Sequence, residues 1–251
     1  MPPDRVAEHP HPSSQLRIVT AQSITDFLYQ ITAIKEDDRW LCRGHANESW
    51  PLIPLIARIR PVADTTRRAE QDMMEEFKRY AVPHLARVPT TEWEWLALAQ
   101  HHGIPTRLLD WTKNPMAALL FAVSGKSDYD SAVWCFRYRR SHKTEGVDPY
   151  SISEVYVLRP THFDARIVGQ SSYFTAHPIP LRPFEPRIDA GEELVKIVIP
   201  QRVRYRLRAE LDRVGVNYAT LFPDLDGIAR HITWSNTVLE DEERTYTDQR
   251  D

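Results

Sequence analysis

Four chemically capable side chains, His101, His102, Arg107 and Asp110, are set between two largely apolar stretches in WEWLALAQHHGIPTRLLDWTKNPMAALLFAV, from Trp93 to Val123. A buried charge costs several kcal/mol unless it is paired or hydrogen-bonded. These groups must therefore form a structural network, line a site or reach solvent. Arg107 and Asp110 are three positions apart and would meet across a helical turn, which predicts an internal ion pair ordering the stretch from Gln100 to Thr112. An uncharged imidazole at His101 or His102 can orient a hydroxyl or stack on a flat ligand. Asp110, Trp111 and Thr112 place a carboxylate, an indole and a hydroxyl just before Asn114 and Pro115, a helix-start pair whose positive end suits an anion or a nucleotide. Upstream, Arg43 closes a short strand-like run beside Gly44, where a planar guanidinium can grip phosphate or carboxylate through paired hydrogen bonds. A plain ion pair with Asp38 or Glu48 would explain it equally.

The elements that must position these groups are legible in outline. SITDFLYQITAIK puts Ile24, Phe27, Leu28 and Ile31 on one helical face, with Ser23 as cap. A second helix is expected from Thr66 to about Tyr80, with Met73, Phe77 and Tyr80 inward. A third should open at Pro89 and Thr90 and end near Gln100. A fourth, capped by Asn114, should run through Ala122, apolar on all sides and therefore central. Later, Ser131 to Arg137, Glu154 to Leu158 and Leu194 to Ile199 read as strands, rich in β-branched and aromatic residues. Arg204 to Arg213 reads as a helix. The expected fold is α+β, one domain over 16–239 with helices early and strands late, between a flexible segment 1–15 and a charged tail 240–251.

Composition narrows the classes. The 251-residue chain is 42% hydrophobic and 27% charged, as expected of a soluble protein with a real core. A net charge of -3 does not mark a general nucleic-acid binder. Arg202, Arg204, Arg206, Arg208 and Arg213 would make a basic stripe on a strand but spread around a helix. Two cysteines, Cys42 and Cys135, rule out a thiolate-rich metal site or a disulfide scaffold, and no metal is expected. No stretch approaches the roughly 18 apolar residues of a membrane span, and MPPDRVAEHPHPSSQ offers no apolar core for a secretory signal. The cytoplasm is the default location.

Taken together, Trp40-Leu41-Cys42-Arg43-Gly44, Pro54-Leu55-Ile56-Ala57-Arg58 and the run from Gln100 to Thr112, QHHGIPTRLLDWT, resemble the motifs of the FRG domain family. That family is named for an aromatic residue followed by Arg-Gly; here Cys42 takes the first place. Arg166-Ile167 with Gln170 and Phe174, and the closing stretch Leu221 to Gly227, are also similar, so the resemblance runs over about residues 20 to 233.

A more distant resemblance is to ADP-ribosyltransferases, and it implies a mixed-sheet core with NAD as substrate. By order along the chain, Arg43 is similar to the Arg or His that holds NAD on the first core strand. Asp110-Trp111-Thr112 stands loosely for the second motif, and Gln170 for the Glu or Gln of the third. The resemblance further implies Arg43 on the diphosphate, and Trp111 or Tyr173 stacked on nicotinamide. His101 would sit in the same cleft, and Asp110 would supply the carboxylate that stabilises the ribosyl cation. The arginine-modifying transferases place a Glu two residues after a Gln or Glu. Here Ser171 and Ser172 follow Gln170, which leaves Glu154, Asp164 and Glu185 as alternatives. Two functions follow: an NAD-consuming transferase or glycohydrolase with protein, nucleic acid or water as acceptor, or a non-catalytic domain that recognises a nucleotide or a phosphorylated partner. A carboxylate open to the pocket favours the first; a pocket of arginines and neutral donors favours the second.

Overall fold

The computed structural model describes residues 16–34, 37–59, 65–125, 128–159, 172–178, 180–187 and 190–237. Within them, alternating apolar and β-branched runs form a seven-stranded sheet: β1 (Arg17–Thr20), β2 (Trp40–His45), β3 (Leu108–Thr112), β4 (Ser131–Arg137), β5 (Tyr156–Leu158), β6 (Ser172–Ala176) and β7 (Glu193–Ile199). Their order is β1-β7-β4-β2-β3-β6-β5. The β1–β7 pair is parallel and the other pairs are antiparallel, so the sheet is mixed and the fold α+β. β2 pairs with β4 along its whole length, from Trp40↔Arg137 to His45↔Ala132. Against β3 it pairs only at Cys42↔Thr112, and beyond that point the two strands part.

One face of the sheet carries the helices α1 (Ile24–Ile34), α2 (Thr66–Ala81), α3 (Glu92–His101), α4 (Pro115–Val123), α5 (Arg204–Arg213), α6 (Tyr218–Leu221) and α7 (Leu225–Asn236). Asn114 Oδ1 accepts from the backbone N–H groups of Met116 (3.0 Å) and Ala117 (3.3 Å), starting α4 where expected. At its far end Arg204 Nη2 donates to the carbonyls of Gly125 (2.6 Å) and Ala122 (3.3 Å), so a buried guanidinium closes the helix C-terminus. α4 lies so close to β2 that a Cβ on Gly44 would stand 2.1 Å from the Ala118 carbonyl oxygen and 2.7 Å from Ala122 N. Only glycine permits that approach. α1, α4 and α5 bury one apolar cluster against Cys42, Val133, Cys135 and Ile197. α2 and α3 bury a second against Leu108 and Phe174. The opposite face carries Leu41, Leu109, Trp111, Trp134 and Phe136, covered by Leu52 and Phe184 from loops that join through Phe184 N to the Leu52 carbonyl at 2.8 Å.

Several expectations change. Helices and strands are interleaved along the chain, because β1, β2 and β3 precede α4, and α5 to α7 follow the last strand. Leu108–Thr112 is a strand and not the helical turn that would bring Arg107 and Asp110 together. Its neighbours explain this: β6 supplies a full antiparallel partner, from Leu108↔Ala176 to Thr112↔Ser172. On α2 the buried residues are Ala69, Glu70 and Met74; Phe77 packs inward on Trp95 as expected, while Tyr80 is exposed. Among the described residues no helix is long and apolar enough to cross a membrane.

Candidate functional site

Where β2 and β3 part, the gap is flanked by Arg43, Gly44 and His45 on one side and by Trp111 and Asp110 on the other. A cavity of about 460 Å³ opens there, bordered also by Trp50, Arg58, Gln100, His101, Thr112, Phe121 and Phe222. Strand alternation sends the Arg43 and Asp110 side chains from opposite faces of the sheet. The gap lets them meet. Arg43 Nη1 donates to the Asp110 carbonyl at 2.8 Å and lies 3.6 Å from Asp110 Oδ2, taking up a backbone acceptor that β2 would have bonded in a continuous sheet.

Arg43 Nε donates to His45 Nε2 at 3.1 Å. A nitrogen that accepts cannot carry the proton, so His45 is the Nδ1–H tautomer. Burial, reinforced by Arg43 and Arg58, pushes its pKa down to about 3 and keeps it neutral. Arg58 enters from the segment after a short 3₁₀ turn, Leu55–Ala57. Its Nε and Nη2 both donate to the Ile53 carbonyl, at 3.2 and 2.8 Å, and no carboxylate pairs with it among the described residues. Burial lowers the proton affinity of both arginines, with Asp110 opposing it at Arg43; a guanidinium nevertheless stays charged. The cleft thus holds two guanidinium groups and one carboxylate, an excess of positive charge suited to an anionic ligand.

Asp110 is the carboxylate that remains accessible, with 54% of its side chain exposed. The expected Arg107–Asp110 pair does not form. Arg107, in the bend just before β3, turns into the core and binds Glu70 on α2. Gln100 Nε2 instead donates to Asp110 Oδ2 at 2.8 Å.

Of the residues singled out from the sequence, Arg43, His101, Asp110, Trp111 and Thr112 border one cleft. Their surroundings differ. Trp111 is only 2% exposed; its indole N–H donates to Thr175 Oγ1 at 2.9 Å and its ring packs on Phe136 and Phe184. It supports the cleft from below and has no free face for a ligand. Thr112 Oγ1 accepts from Asn114 N at 3.0 Å, helping to start α4. Tyr173 packs against Tyr138 and under Lys113, away from the cleft lining. Gln170 lies outside the described residues. The aromatic rings that do border the cleft are Trp50, Phe121 and Phe222, the last two edge-to-face at 5.8 Å. Arg58 stood in the run from Pro54 to Arg58 without an assigned role. A charged residue closing an otherwise apolar run was the signal for Arg58.

Two other features are less suited to a ligand. A larger cavity of about 600 Å³ near Trp40, Leu52 and Phe184 holds none of the predicted residues, and its Arg137 is already paired with Asp37 and Glu193. The arginines of α5 and the turn before it form no stripe: Arg204 and Arg208 are buried, and Arg202 and Arg206 bond Gln22. Among the described residues no group of His, Cys, Asp and Glu is arranged to hold a metal ion.

No curated protein and no solved structure matched the chain, so no comparison links it to an ADP-ribosyltransferase. The model of the FRG domain matches residues 38–131, the stretch that contributes Arg43, Arg58, Gln100, His101 and Asp110 to the cleft, and over those residues the chain is similar to that family.

Proposed function

We propose that the cleft binds NAD or a closely related dinucleotide and that the protein consumes it as an ADP-ribosyltransferase-like enzyme. The observation that carries this reading is an accessible carboxylate, Asp110, held in the same cleft as two arginines. Arg43 and Arg58 would take the diphosphate through charge-assisted hydrogen bonds. Trp50, Phe121 or Phe222 would offer a ring to the flat base, replacing Trp111 and Tyr173 in that role. As the nicotinamide–ribose bond breaks, its electron pair leaves with nicotinamide and positive charge grows on the ribose. Asp110 would stabilise that charge. His101 borders the same space and could orient a ribose or acceptor hydroxyl. Gln170 is kept as the residue of the third motif. Protein, nucleic acid or water would accept the ADP-ribose.

The test is nicotinamide release from NAD by purified protein, with Arg43→Ala, Asp110→Asn and Gln170→Ala variants. Loss of an electrostatic stabiliser predicts a fall on the order of 100-fold for Asp110→Asn. No release with any acceptor, together with no NAD binding, would reject the reading.

A second reading, recognition of a nucleotide or a phosphorylated partner without turnover, is favoured by Arg58, whose guanidinium pairs with no described carboxylate. Binding of NAD with unchanged nicotinamide would select it.

A further inference from the structure

Behind Asp110 runs a chain of hydrogen bonds with only one permitted direction. The Leu108 backbone N–H can only donate, and it does so to Thr106 Oγ1 at 3.1 Å. The Thr106 hydroxyl is therefore free to send its own proton to Gln100 Oε1, 2.7 Å away. With its oxygen occupied on that side, the Gln100 amide must turn its NH₂ to Asp110 Oδ2 at 2.8 Å. The flipped amide would set oxygen against carboxylate oxygen and lose the bond to Asp110, so the acceptor-only carboxylate fixes the direction from the other end. Thr106 is fully buried, so water does not compete for the middle of the chain. Both groups that approach the carboxylate, Gln100 and Arg43, do so at Oδ2. Oδ1 carries no bond to any described residue.

We propose that Gln100, locked by Thr106, is the positioning residue of Asp110, holding Oδ2 so that Oδ1 is the oxygen presented to the ligand. This rests on the reading of Asp110 as the carboxylate that stabilises the ribosyl cation. Gln100 does not touch the reacting atoms. Its effect is to stop the carboxylate from rotating, so that Oδ2 stays shared between Gln100 and Arg43 and Oδ1 stays turned to the ligand.

The experiment compares Gln100→Leu, Thr106→Val and Thr106→Ser by two readouts, after unfolding curves establish that each variant folds. In nicotinamide release, Gln100→Leu should lower kcat by about 10- to 100-fold with KM for NAD changed less than about threefold, because orientation matters in the transition state and not in binding. Thr106→Val should lower kcat in the same sense, and Thr106→Ser, which keeps the hydroxyl, should restore it. A folded Gln100→Leu variant with wild-type kcat overturns the proposal. The second readout needs no turnover: the NMR signals of the Gln100 side-chain amide should move in both Thr106→Val and Asp110→Asn. If they move in neither, the chain does not exist in solution and the proposal fails. If they move while wild-type protein releases no nicotinamide, the positioning stands and the NAD reading fails.

Discussion

Glu70 on α2 and Arg107 just before β3, 37 positions apart, form a buried ion pair. Glu70 Oε2 accepts from Arg107 Nε at 2.9 Å and Nη2 at 2.8 Å, and Oε1 accepts from the Arg107 backbone N–H at 2.7 Å. Arg107 Nη1 donates to the Pro149 carbonyl, and the guanidinium lies over the Tyr150 ring. The pair fastens the helical layer to the strand that carries Asp110.

Removing one partner should be costly. Glu70→Gln leaves Arg107 charged at 2% side-chain exposure, and about 3 kcal/mol of stability should be lost. Asp110→Asn, in an exposed pair, should cost less than about 1 kcal/mol. Urea unfolding of both variants checks the contrast. Equal losses would put Asp110 in the structural network after all.

Gly44→Ala should destabilise the protein by about 2 kcal/mol or more, since α4 must retreat from a Cβ that would meet backbone atoms. The displacement moves Phe121, so nucleotide affinity should weaken with stability. Calorimetric Tm and ligand titration on one preparation test the coupling.

Acid should weaken the fold through two neutral histidines. Burial, with Arg43 and Arg58 alongside, lowers His45 from 6.5 to about 3, and burial with Arg43 and Arg107 lowers His177 from 6.5 to about 3. Unfolding returns both to ordinary values, so below pH 6.5 the unfolded chain binds protons that the folded chain refuses. This contribution is complete above pH 6.5 and drains as pH falls toward 3, at about 1 kcal/mol per pH unit for each imidazole. Unfolding free energies at pH 7 and 5 should show the slope, and His45→Gln should roughly halve it. An imidazole of His45 titrating near 6.5 by NMR would contradict the argument.

The thiols of Cys42 and Cys135 face each other across β2 and β4 at 3.7 Å, both fully buried and reduced. An aromatic disulfide reagent should modify neither in the native protein on the timescale on which it titrates both in denaturant. Because Cys42 borders the cleft, a bound nucleotide should slow any residual reaction further. Rapid native labelling would show that the strands open.

Local signals in the sequence carried well and tertiary ones did not. The start of α4 at Asn114-Pro115 and the limits of β4 and α5 follow from capping and periodicity, which are properties of neighbouring residues. β3 was missed because LLDWT is short and runs straight into the helix start at Asn114-Pro115; it is a strand because β6, far along the chain, pairs with it. That misreading also produced the expected Arg107–Asp110 pair, since i and i+3 meet on a helix and diverge on a strand. Arg43 and Asp110 were legible as site residues from charge in apolar surroundings. Trp111 was legible as important, but whether its ring faced ligand or core depended on Thr175, Phe136 and Phe184, which no local pattern brings near it.

The single pairing of Cys42 with Thr112 makes the sheet two blades joined at a seam: β1, β7, β4 and β2 on one side, β3, β6 and β5 on the other. Arg43 is a tether across that seam. A ligand lodged between the blades would work as a strut, so occupancy and mechanical stiffness become one quantity. Amide exchange along Arg43–His45 and Leu109–Asp110 would then register ligands that no enzymatic assay detects, and thermal stability would rise with ligand concentration by mass action alone. Screening for that stiffening reaches the natural ligand before its chemistry has to be guessed.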